Sequence, residues 1–122
     1  MPLALDMMKG GMSAGQAKGI NGQLQSAVSA AGTAITDATD LTASINVVTT
    51  AAASSGVQLP SAEIGDEVEV LNLGANTLTI YPDSASNRIN QLPAGSGMFL
   101  ATNTAVKLRK FTSSRWIAYL SA

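Results

Sequence analysis

From Asp40 onward the chain alternates apolar and polar residues in short runs. In "GDEVEV" Val68 and Val70 share one face and Glu67 and Glu69 the other; in "TLTIYP" Leu78 and Ile80 point one way and Thr77, Thr79 and Tyr81 the other. A period of two is the signature of a half-buried strand. "LTASINVVTT" is rich in β-branched residues, "GVQLP" ends at Pro60, and "GMFLA", "AVKLRKF" and "RWIAYLS" add further strands. Pro93, Gly95, Gly97, Asn103 and Ser113-Ser114 punctuate them. Turn signals recurring about every eight to twelve residues predict a β-sandwich or barrel. Ile64 to Pro82 reads as a β-hairpin turning at "LGANT", where Gly74 and Asn76 would accept positive φ. The short, local connections predict largely antiparallel pairing.

The N-terminal part follows another rhythm. Ile20, Leu24, Ala27, Val28 and Ala31 recur at spacings of three and four, one stripe on a helix, with Ser13 as a cap and Gly32 as a stop. Gly15, Gly19 and Gly22 make that helix weak, because glycine costs about 1 kcal/mol against alanine in a helix interior. Ahead of it, Leu3, Leu5, Met7, Met8 and Met12 form an apolar arm suited to packing on its own domain or a sister subunit, or on a different protein. The expected division is an arm and weak helix over residues 1–35 and a β-domain over residues 36–122.

Composition narrows the chemistry. The 122 residues contain no Cys and no His, which removes disulfides, thiolate nucleophiles, Cys/His zinc sites and imidazole catalysis. Five aromatics leave the core to Val, Ile, Leu and Ala, and burial between copies would add to it. Seven basic and eight acidic residues argue against nucleic acid as a partner. Their segregation, with Glu63, Asp66, Glu67 and Glu69 in one segment and Lys107, Arg109, Lys110 and Arg115 in another, predicts pairing between neighbouring strands. The start lacks the pattern of a signal peptide, and no apolar run reaches the roughly 18–20 residues of a membrane span. The chain is therefore read as unprocessed and soluble, without a membrane partner.

Glu67 and Glu69 lie about 6.5–7 Å apart along a strand, near enough for a carboxylate pair, but alternation with Val68 and Val70 puts them on the solvent side, whereas a catalytic acid needs burial. Asp37 and Asp40, or Asp66 and Asp83 near strand ends, could supply oxygen ligands to calcium, yet without a dense acidic run they read better as turn or capping residues. No lysine sits in an evident apolar context. The expectation is a non-enzyme with no cofactor, metal or small-molecule substrate.

Several motifs together resemble structural proteins of tailed-bacteriophage particles: Gly56-Val57-Gln58-Leu59-Pro60, Gly65 to Val70, Asn72 to Pro82, Ile89-Asn90-Gln91-Leu92 and Trp116-Ile117-Ala118. The resemblance spans about Leu41 to Leu120, and its motif residues read as fold-determining. It implies a mainly β, antiparallel, jelly-roll-like β-sandwich preceded by the arm and helix. It also implies a capsid cement, or decoration, protein: a homotrimer on the outer surface of the phage head, present in the host cytoplasm during assembly, that binds the major capsid protein shell. Arm residues Leu3, Leu5, Met7, Met8 and Met12 would contact the shell or a sister subunit, and the helix stripe Ile20, Leu24 and Val28 would join subunits. The alternative is a receptor- or glycan-binding module of a head or tail fibre, with Asn87, Asn90, Asn103 and Tyr81 as candidates.

Overall fold

The computed structural model describes residues 24–120. Ten strands follow one another: β1 (Leu24–Ser29), β2 (Thr39–Asp40), β3 (Ile45–Thr50), β4 (Gly56–Gln58), β5 (Glu67–Asn72), β6 (Leu78–Tyr81), β7 (Arg88–Ile89), β8 (Met98–Leu100), β9 (Thr104–Thr112) and β10 (Arg115–Leu120). Strands β1 to β6 alternate between two sheets, so each pass stacks on the pass before last. The larger sheet has the order β1-β3-β5-β9-β10-β7 and the smaller β2-β4-β6-β8.

The result is a β-solenoid-like coil. Ile45 pairs with Leu24 on one side and Glu69 on the other, while Val57 pairs with Thr39 and Ile80. Five pairings are parallel, β1·β3, β3·β5, β2·β4, β4·β6 and β7·β10. The three antiparallel ones, β5·β9, β9·β10 and β6·β8, close the coil at one end.

This overturns the antiparallel jelly-roll sandwich. The segment read as a hairpin, Ile64 to Pro82, is a corner: β5 and β6 belong to different sheets. Gly74 and Asn76 are not at positive φ. A Cβ on Gly74 would instead lie 2.8 Å from both Cβ and N of Ala51, in the corner of the preceding coil. Gly74 is needed for close approach of stacked corners. Asn76 ties the same corners together, its Nδ2 donating to the Ala51 carbonyl at 2.9 Å. Asn72, fully buried, donates to the carbonyls of Asn76 and Leu100 and accepts from the Gly74 amide.

Nor is there a helix among the described residues. Leu24 and Val28, expected on an inter-subunit helix stripe, lie on β1, which is already paired into the larger sheet although it falls within residues 1–35. A register irregularity between Gln25 and Val28 breaks the alternation, so Leu24 is exposed while Val28 enters the core. Val28 thus cannot serve as a subunit contact in the folded chain. The helical spacing was real, but the parallel ladder to β3 and burial of Val28 outweigh a weak propensity.

Alternation located the faces correctly. Val68, Val70, Leu78 and Ile80 are fully buried. With Val48, Val57, Leu100, Val106, Leu108 and Trp116 they fill a single core between the sheets. Because native cores tolerate little extra volume, Gly74→Ala should destabilise the chain by about 1–3 kcal/mol in urea unfolding. Gly65→Ala is the control: its turn has φ +97°, but a Cβ added there would meet nothing within 4 Å. It should cost only the strain of a left-handed alanine, about 1 kcal/mol.

Candidate functional site

Three places bring together side chains beyond the apolar core. The first is buried. Strict alternation along β9 sends Val106, Leu108 and Lys110 inward. Lys110 Nζ lies 2.7 Å from Asp83 Oδ2, and the two side chains are only 8% and 5% exposed. The ammonium also donates to the Ala62 carbonyl at 3.1 Å and sits 5.9 Å from the centroid of the Trp116 ring, within cation–π range. Asp83 Oδ1 accepts from Trp116 Nε1 at 3.0 Å and Asn87 Nδ2 at 2.6 Å.

Burial alone would raise the Asp83 carboxyl, but hydrogen bonds from Lys110, Trp116 and Asn87 and the Lys110 charge outweigh it and hold the pKa below the ordinary value. The cluster joins the loop after β6 to β9 and β10, and every polar atom of the Asp83 carboxylate is engaged. Its chemistry is structural. The expectation that no lysine is in an apolar setting is corrected here; the alternation Val106, Leu108, Lys110 was the available signal.

Other motif residues meet at the same end. Ile89 pairs with Trp116. Asn90, at φ +53°, donates its amide to the Trp116 carbonyl and accepts the Ala118 amide on Oδ1 at 2.9 Å. Asn87 is committed to Asp83, and Asn103, at φ +61°, shapes the turn before β9. These three asparagines therefore do not form a common binding surface with Tyr81. The other aspartates also act in turns: Asp37 Oδ1 accepts the Thr33 and Ala34 amides, and Asp66 Oδ2 the Glu63 amide. Asp40 is exposed on β2. Among the described residues no acidic cluster is suited to a metal ion.

The second place is the outer face of the larger sheet. Leu24, Ile45, Glu69, Lys107 and Tyr119 lie in one register row across β1, β3, β5, β9 and β10. Beside it, Glu67 and Arg109 form the expected cross-strand pair at 2.7 Å. Both are substantially exposed, and such pairs contribute about 0–1 kcal/mol. Leu24, Ile45 and Tyr119 are 61%, 37% and 55% exposed, so this face mixes apolar side chains with both signs of charge.

The third place is a groove of about 560 Å³ on the outer face of the smaller sheet, lined in part by Tyr81, Thr79 and Phe99. Leu3, Leu5, Met7, Met8, Met12 and Ile20 lie outside the described residues. The chain matches no family model and no curated protein sequence.

Removing one partner of a buried ion pair strands the other, so Asp83→Asn should cost about 3–5 kcal/mol. The double variant Asp83→Asn/Lys110→Met should lose about 1–3 kcal/mol less than the two single losses combined, as measured by urea unfolding. Because the folded Asp83 pKa lies below the ordinary value of 3.8, the ionised carboxylate contributes stability above that value and loses it as pH falls through the lowered one. Melting temperature followed from about pH 5 down to about pH 2 should accordingly fall less steeply in the double variant than in the wild type.

Proposed function

We propose that the chain is a capsid cement protein of a tailed phage, binding the assembled major capsid protein shell and stabilising it through inter-subunit contacts. The observation that carries this reading is the outer face of the larger sheet, where Leu24, Ile45 and Tyr119 stand exposed in one row with Glu69 and Lys107 between them. Burying a large apolar side chain contributes about 1.5–3 kcal/mol when complete, and part of that is still available at each of these positions. The interleaved charges would set register and exclude wrong partners more than they add affinity.

In this proposal the protein acts as a homotrimer on the outer surface of the head, after release into the host cytoplasm during assembly. Leu3, Leu5, Met7, Met8 and Met12 add apolar contacts to the shell or to sister subunits. It is not an enzyme, and it needs no cofactor, nucleic acid, membrane or small-molecule substrate. The motif resemblance and the commitment of Asp83 and Lys110 to each other support this reading.

Co-sedimentation with phage heads stripped of this protein tests it. Wild-type chain should bind saturably and raise the temperature at which heads open. Deletion of residues 1–12, and separately Ile45→Asp, should each reduce occupancy roughly tenfold or more, a loss of about 1.4 kcal/mol, while the β-domain still melts cooperatively. Occupancy unchanged in both variants, or no binding by the wild type, would refute the proposal.

A further inference from the structure

We propose that the groove on the outer face of the smaller sheet is a binding site for a neutral oligosaccharide. Two aromatic rings form its apolar part. Tyr81 lies between two glycines: a Cβ on Gly56 would come 2.6 Å from its Cε2, and one on Gly97 would come 3.1 Å from its Cδ1 and Cε1. Both flanking positions must lack side chains for the ring to lie there. Its hydroxyl donates to the Thr33 carbonyl at 3.1 Å, which fixes the ring in place. Phe99, on the neighbouring strand β8, is 74% exposed, the most exposed large apolar residue of the described chain.

Around these rings stand Ser54, Thr77, Thr79 and Ser96. Among the described residues their hydroxyls enter no hydrogen bond, so each retains a donor and acceptor capacity. Ser54 is held at φ +63°, an uncommon conformation for serine, at the lip of the groove. Among the described residues, none that lines the groove is charged.

That combination selects a ligand. A pyranose offers an apolar C–H face for an aromatic ring and a rim of hydroxyls that both donate and accept. Uncommitted serine and threonine hydroxyls match that rim, and a site without charge neither attracts nor compensates an anionic group. A second copy of the chain would instead meet hydroxyls left unpaired beneath its own apolar surface, which is costly. The inference does not depend on the cement reading, since the groove lies on the opposite sheet from the face used there. If both hold, many copies on one particle would turn weak individual binding into strong attachment.

Titration of the full chain with maltohexaose, cellohexaose and chitohexaose, read by amide chemical shifts, tests the site. At least one probe should give saturable shifts confined to the groove lining, Ser54, Thr77, Thr79, Tyr81, Ser96 and Phe99 among them. Phe99→Ala, at an exposed position that folding does not need, should weaken binding roughly tenfold or more. Thr77→Val, at an exposed lining position, should weaken it also, and Glu67→Gln on the other sheet should leave it unchanged. Absence of saturable shifts with all three probes, shifts centred elsewhere, or equal binding by Phe99→Ala would overturn the proposal. So would a Phe99→Ala variant whose sedimentation showed loss of self-association, because the groove would then be a contact between copies.

Discussion

Parallel stacking of successive passes is the constraint on which the rest of this molecule depends. A parallel partner can be reached only if the chain leaves the sheet, crosses and returns beside its earlier strand. Here the crossing is made through a second sheet, so β1, β3 and β5 build one wall while β2, β4 and β6 build the other. The corners must then stack as closely as the strands. That explains the missing side chain at Gly74 above Ala51, and the carboxamides of Asn72 and Asn76 that serve corner backbone groups. Antiparallel β9 ends the series on the larger sheet and β8 on the smaller.

The closing end has a second requirement. Strands β7 to β10 do not repeat the coil, and the loop between β6 and β7 must be held against β9 and β10. The Asp83 carboxylate does this by joining Lys110 of β9, Trp116 of β10 and Asn87 of the loop itself. Asn90 adds the Ala118 amide. A buried ion pair is a poor source of net stability but a strict specifier of arrangement when all its hydrogen bonds are satisfied. The motif elements Ile89-Asn90 and Trp116-Ile117-Ala118 are distant in the chain and pair here.

The sequence made the faces legible and the topology illegible, for one physical reason. Alternation reports which side of a strand meets the core, and it placed Val68, Val70, Leu78 and Ile80 correctly, while the segregation of charge pointed to cross-strand pairing of the kind Glu67 and Arg109 make. It says nothing about which sheet a strand joins. "LGANT" therefore read as a hairpin turn although β5 and β6 never pair. In β1 an irregular register mimicked helical spacing, and small Ser and Ala residues carried no opposing strand signal. The buried lysine was readable from the alternation of β9 but masked by its exposed basic neighbours Lys107 and Arg109. The groove was unreadable because it gathers residues from Thr33 to Phe99 that only the coil brings together.

Both surfaces proposed to bind partners are consequences of the coil: one is the outside of each wall. Backbone order is accordingly the most direct test. In labelled protein, cross-strand nuclear Overhauser contacts should link Ile45 with Glu69 and Val57 with Ile80 in parallel register. An antiparallel contact ladder between Glu67–Asn72 and Leu78–Tyr81 would contradict the account, because those segments would then form one hairpin and the two walls would not exist.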